Sequence, residues 1–253
     1  MALELIVTDW NGTLFQHVDD GDLQRELAYT AFRSDVASLF RGRVWRFPRV
    51  VTAMRARGAL RAAANRWRDG GGSLADVYAL YGRLVLRGRP EGFVTSVVDG
   101  FARRSGLLVD RRMLEPVRTL HTEGIATAVY SVAYDYGITR VLEEAGYADT
   151  FDSVVANRLI VEDGQAVRFT ADFAEQKAEG FRAEFLEGRG YRPDAVVYSG
   201  DTRNDEPVAE LLPAGNFIVP FLAQDAFKQH MAERHGAFVP STSRELLDYL
   251  KGR

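Results

Sequence analysis

Short apolar runs rich in valine and isoleucine recur at Leu3–Thr8, Ile125–Ser131, Ser153–Ala156, Ala195–Ser199 and Asn216–Pro220. Runs of this length, several ending in a small polar or acidic residue, predict strands buried on both faces. After Ile125 they alternate with helical patterns at Ile138–Ala145, Phe173–Leu186 and Pro207–Leu212. That alternation predicts a parallel sheet with helices on both sides, a doubly wound, Rossmann-like α/β core. Ligands of such sheets sit at the carboxyl ends of the strands. Asp9, Ser131 and Asp201 fall at or just past those ends.

Between about Gln16 and Gly106 the pattern changes to amphipathic helices, at Asp22–Phe40, Arg49–Arg68, Leu74–Leu86 and Glu91–Arg104, broken by Gly70-Gly71-Gly72-Ser73. No convincing strand is visible there. The predicted organisation is an α/β core of residues 1–16 and 107–253, with a helical unit of residues 17–106 inserted after the first strand. Within the core, Leu159–Glu162 and Gln165–Phe169 flank Asp163-Gly164, a pair suited to a type I′ turn, and predict a hairpin.

The absence of cysteine excludes a disulfide framework, a thiol nucleophile and a Cys-based metal site. A net charge of -3 offers no whole-chain argument for nucleic acid, and no nucleic-acid module is present. No apolar run approaches the roughly 20 residues of a membrane span. The strand-like run begins at Leu3, which leaves no room for a signal peptide, so a soluble cytoplasmic protein is expected. There are 29 arginines and only three lysines, Lys177, Lys228 and Lys251. Nine of those arginines lie between Arg41 and Arg68 with no acidic residue among them. They read as a solvated helical face, as a patch holding an anionic group of a substrate, or as a contact to anionic membranes. Trp45, Phe47, Trp67, Tyr78 and Tyr81 are expected in the core of the helical unit. His230 and His235, five apart, do not share a helical stripe; no histidine is assigned to metal or catalysis.

The chemistry concentrates at two strand ends. The first strand runs into Asp9-Trp10-Asn11-Gly12-Thr13, and Val196–Ser199 runs into Gly200-Asp201-Thr202-Arg203-Asn204-Asp205. Carboxylates from two strand ends suit a hard cation such as Mg²⁺. Ser131 ends a third strand, and Lys177 lies near the start of a helix.

Taken in chain order, Asp9–Thr13, Ser131, Lys177 and Gly200–Asp205 resemble the four motifs of the haloacid dehalogenase-like (HAD) superfamily. Ala156-Asn157-Arg158-Leu159 and the hairpin after it resemble its phosphoserine-phosphatase-like branch. The resemblance covers about residues 1–16 and 107–222, and it makes the helical insertion a cap. It implies a phosphatase acting on a small phosphorylated metabolite, with Asp9 as the nucleophile that becomes an aspartyl-phosphate. It implies Mg²⁺ held by Asp9, the Asn11 backbone carbonyl and Asp201, with Asp205 near or in that shell. Gly12, Thr13, Ser131 and Lys177 would bind the phosphoryl group, Lys177 neutralising its charge. One position departs from the pattern. Phosphatases of this family carry aspartate two residues after the nucleophile, as general acid and then base; here it is Asn11, which cannot exchange protons in that way but could orient a leaving oxygen or water. Asp135 and Asp172 are the carboxylates considered as substitutes. The alternative reading is a catalytically weakened phosphate-ligand binding or regulatory protein. Phosphonoacetaldehyde-type chemistry needs a cap lysine, and none precedes Lys177. Dehalogenases of the superfamily lack the acidic fourth motif. Neither a P-loop nor a Gly-x-Ser-x-Gly elbow is present.

Overall fold

The computed structural model describes residues 2–16, 21–41, 47–68, 71–171 and 176–253, and within 47–68 the side chains other than those of residues 49, 53, 54, 56, 57, 67 and 68. Strand β1 (Leu5–Thr8) leads into an insertion of helices α1 (Gly21–Phe40), α2 (Phe47–Arg68) and α3 (Leu74–Tyr81), then a two-residue strand β2 (Arg89–Pro90) and helix α4 (Glu91–Ser105). The core resumes with α5 (Arg111–Thr122), β3 (Ala126–Tyr134), α6 (Asp135–Ala145), β4 (Ser153–Asn157) and the hairpin β5 (Leu159–Glu162) and β6 (Gln165–Phe169). It closes with α7 (Lys177–Phe181), β7 (Val196–Ser199), α8 (Glu206–Ala209), β8 (Phe217–Ile218), α9 (Asp225–His235) and α10 (Ser243–Lys251).

The main sheet is parallel, in the order β4-β3-β1-β7-β8. Alternation along its strands builds two cores. Ile6, Val129 and Val197 face α5, α6 and α10 through Met113, Leu114, Ile138, Leu246 and Leu250. Leu5, Val7, Tyr130 and Tyr198 face the opposite side, against Phe181 and Phe185, Val208 and Met231. Helices therefore cover both faces, as the apolar runs require. No described helix is long and apolar enough to cross a membrane.

The insertion has its own core of Leu23, Leu27, Tyr78, Tyr81, Leu86, Val94 and Val98, and this core extends to Tyr134, Ala166 and Phe169. The hairpin forms with the expected strands, and Asp163 and Gly164 both take positive φ, +49° and +71°. It does not stay within the core layer, however. Strand β2 pairs antiparallel with β6, Arg89 opposite Ala166 and Pro90 opposite Gln165. Part of the 107–253 segment thus packs with the 17–106 segment in one three-stranded sheet. Of the five aromatics expected in the inserted core, Tyr78 and Tyr81 are buried there, while Phe47 is exposed. Trp45 and the Trp67 side chain lie outside the described residues. In the arginine-rich run, Arg41, Arg55, Arg61 and Arg66 are exposed; Arg43 and Arg46 lie outside the described residues.

Candidate active site

The register of the sheet gathers the strand ends. Thr8 stands opposite Val129 on one side and Ser199 on the other, and Asp9 follows, its N–H donating to the Ser199 carbonyl at 2.8 Å. The pairing of β3 with β4 shifts register after Tyr130, so Ser131 is the first residue beyond the regular ladder. It is buried, and its hydroxyl oxygen accepts from the Ala133 N–H at 3.3 Å. Beyond Asp9 the chain turns at Gly12, whose φ is +69°. A Cβ there would lie 2.0 Å from Asp201 Oδ2. Glycine is required twice over, for the backbone angle and for the approach of Asp201.

Lys177, the first residue of α7, brings a buried ammonium between two carboxylates, 3.0 Å from Asp9 Oδ1 and 2.5 Å from Asp205 Oδ1. Two tyrosines beneath the site hold this arrangement. Tyr198 donates to the same Asp205 oxygen at 2.6 Å, and Tyr130 donates to the Lys177 backbone carbonyl at 2.9 Å. The other Asp205 oxygen accepts from the Thr202 N–H at 3.1 Å and hydroxyl at 3.0 Å. Sequence reasoning gave these tyrosines no role, because on an apolar strand they read as packing residues.

The two carboxylates of the Asp201–Asp205 loop differ sharply. Asp205 has four donors. Asp201 Oδ1 is buried with no hydrogen-bond partner among the described residues, and the same holds for Asp9 Oδ1, whose contact with Lys177 lacks hydrogen-bond geometry. Burial pushes Asp201 up to about 8, aided by the charges of Asp9 and Asp205. Burial also raises Asp9 to about 6, against the pull of Lys177 and with the push of Asp205. Asp205 goes down, because Lys177 and the hydrogen bonds overcome its burial. Lys177 goes up, since the attraction of Asp205 and Asp9 overcomes its own desolvation. Oxygens of Asp9, Asp201 and Asp205 lie within 4.8 Å of one another. Three clustered carboxylates against one lysine leave an uncompensated negative charge, with two unbonded oxygens aimed into it. That donor set, all oxygen, fits Mg²⁺.

Asn11 is buried and shares a small cavity with Trp10, Asp22, Leu23, Phe101 and Tyr134. Asp135 lines a different groove with Tyr136 and Thr139, and Asp172 lies outside the described residues. Asp22, from the first turn of α1, lines the same cavity as Asn11 and was not singled out by sequence reasoning. Above Ser131, Tyr78 of α3 donates to the Val132 carbonyl at 3.0 Å, and the Asn157 amide donates to that same carbonyl. The inserted unit thus touches the chain directly after Ser131. The hydroxyl of Thr13 is buried with no partner among the described residues.

The family model for haloacid dehalogenase-like hydrolases matches residues 6–210. The chain belongs to that family and is a hydrolase built on a fold shared with phosphatases. Phosphoserine phosphatase solved as a phospho-aspartyl intermediate analogue is similar to it over 99% of this chain and 100% of that one, with a TM-score of 0.61 and 18% identity. A substrate-bound phosphoserine phosphatase complex covers the same shares, with a TM-score of 0.63 and 18% identity. A cytosolic 5'-nucleotidase IIIB bound to cytidine matches 98% of this chain and 85% of its own, with a TM-score of 0.61 and 19% identity. No curated protein matches the sequence.

Proposed function

We propose that the chain is a Mg²⁺-dependent phosphatase that hydrolyses a small phosphomonoester through an aspartyl-phosphate on Asp9, with residues 17–106 as the cap over the site. The observation that carries this reading is the Asp9 carboxylate, buried at a strand end, 3.0 Å from Lys177 and lacking a hydrogen bond on Oδ1. Asp9, Asp201 and the Asn11 backbone carbonyl would hold the metal, which offsets the repulsion between the nucleophile and an incoming phosphate dianion. Asp205, fully engaged by Lys177, Tyr198 and Thr202, would shape the site beside that shell.

An Asp9 oxygen attacks phosphorus, and the bond from phosphorus to the ester oxygen breaks. The departing alkoxide takes a proton from water. A second water then attacks the acyl phosphate at phosphorus, releasing inorganic phosphate and restoring the Asp9 carboxylate. Lys177, Ser131 and Thr13 donate to the phosphoryl oxygens as charge spreads over them. Asn11 orients the leaving oxygen without protonating it, so good leaving groups are favoured.

Asn11 also supports the second reading, a weakened relative that binds a phosphorylated ligand. p-Nitrophenyl phosphate separates the two, because phenolate leaves without an acid. Mg²⁺-dependent release of nitrophenol, lost on Asp9→Asn with the fold intact, is the expected result. Loss of a nucleophile costs on the order of 10⁴-fold or more. A folded, Mg²⁺-binding protein with no turnover of this ester would instead establish the binding reading.

A further inference from the structure

A second group of ligand-bearing side chains lies where α8 meets α9. Nε2 of His230 lies 2.8 Å from Glu206 Oε1, and Nε2 of His235 lies 3.1 Å from the same oxygen. All three ligand atoms fall within 4.8 Å of one another. A spacing of five separates the two histidines on a helical stripe, yet they converge. The helix ends at His235, where Gly236 takes φ +60°, and the shared partner comes from another element. His235 and Glu206 retain 10% and 14% of side-chain exposure, and His230 retains 30%.

We propose that Glu206, His230 and His235 form a binding site for a divalent transition-metal ion of the zinc type, separate from the carboxylate cluster at Asp9. Two imidazoles and one carboxylate are the donors such ions select, whereas Mg²⁺ selects oxygen alone. A tetrahedral ion with bonds of about 2.0–2.1 Å holds its ligands roughly 3.3 Å apart. The two separations from Glu206 Oε1, 2.8 and 3.1 Å, need to open by only a few tenths of an ångström. The carboxyl end of α9 adds the negative end of a helix dipole, which favours a cation. The exposed edge of His230 leaves room for a water as fourth ligand. One group opposes the ion: Arg234, whose Nε stands 3.6 Å from the same Glu206 oxygen. Its side chain is 61% exposed, so it can turn out to solvent. Glu206 directly follows Asp205, so a bound ion would tie the active-site loop to α9.

The test is a titration of the purified full chain with Co²⁺ or Zn²⁺ at saturating Mg²⁺, read by calorimetry and by the visible absorption of tetrahedral cobalt. One tight equivalent per chain is expected. His230→Asn and His235→Asn should each weaken it by more than the about 10–100-fold that outer-shell partners contribute. Asp201→Asn should leave it intact, and Arg234→Ala should tighten it several-fold. Circular dichroism and a urea midpoint close to that of the unsubstituted chain confirm that the histidine variants fold. Binding that survives both histidine substitutions but disappears with Asp201→Asn would assign the ion to the carboxylate cluster and overturn the proposal. The absence of a tight equivalent in the unsubstituted chain would overturn it as well. Neither result bears on the phosphatase reading, whose test uses a different site and readout.

Discussion

Two buried ion clusters, one in each layer, are built on opposite terms. In the inserted unit, Arg89 meets Asp35 through its two terminal guanidinium nitrogens, at 2.5 and 3.3 Å, and its Nε donates to the Val85 carbonyl at 3.1 Å. The guanidinium engages both oxygens of the carboxylate, and the Arg89 side chain also lies over the Phe93 ring. In the core, one lysine faces Asp9, Asp201 and Asp205, and oxygens of two of the three carboxylates have no hydrogen bond. A buried ion pair with both carboxylate oxygens held can do no more in the folded chain than hold it together. An unbalanced one is a cost to the fold that a ligand can relieve. The contrast separates scaffold from site without reference to any relative.

The largest expected effect comes from adding to the imbalance. Asn11→Asp should raise turnover of alkyl phosphates by about 10²–10⁴-fold and that of aryl phosphates least, measured on a panel of esters. A flat response would mean that another group, such as Asp22, already handles the proton. Next, Arg89→Met should cost about 3–5 kcal/mol of stability by taking the guanidinium fork away from the buried Asp35 carboxylate, read by urea denaturation, with kcat of the folded protein unchanged. Pairing it with Asp35→Leu should recover most of that loss. A smaller effect is expected from Tyr198→Phe, which removes one of the two donors to Asp205 Oδ1. It should lower kcat about tenfold, equivalent to about 1.4 kcal/mol, with little change in melting temperature; an equal fall in both would make Tyr198 a packing residue. The smallest is Asp201→Asn in chelator-treated protein. It removes a desolvated, repelled carboxylate and should raise the melting temperature by about 2–4 °C, roughly 1 kcal/mol for a chain of this size. Saturating Mg²⁺ should reverse the order, because the native chain gains more from the ion. A loss of stability in the chelated variant would show that the core carboxylates are as well held as that of Asp35.

The main sheet and the helices were legible because each depends on a local pattern: the apolar runs, the 3.6-residue stripes of α1 and α4, and the turn preference of Asp163-Gly164. The gathering of Asp9, Asp201 and Asp205 followed from the parallel topology, since strand ends on one edge must be neighbours, whereas Lys177, at the start of α7, was expected there only from the motif resemblance. What the pattern hid was relational. Strand β2 is two residues long and has no periodicity of its own; only its partner β6 makes it a strand. The four donors of Asp205 come from three separate places, so its difference from Asp201 cannot be read from a motif that holds both. Helical spacing separated His230 from His235, because it takes no account of where the helix ends or of Glu206 from another element. Phe47 looked like a core residue by type, yet it starts α2 on the solvent side.

The pairing of β2 with β6 has a consequence for modularity. The insertion contributes one strand to a sheet whose other two strands belong to the host segment. Excising residues 17–106 would therefore not leave an intact domain with a shortened loop. It would strip a partner from β6 along Gln165 and Ala166 and uncover the aromatic faces of Tyr134 and Phe169. Such a raw edge beside apolar surface recruits strands from other molecules, so a core-only truncation should self-associate. Any exchange of the inserted unit between relatives would have to carry the hairpin along, which makes the transferable unit discontinuous in the chain.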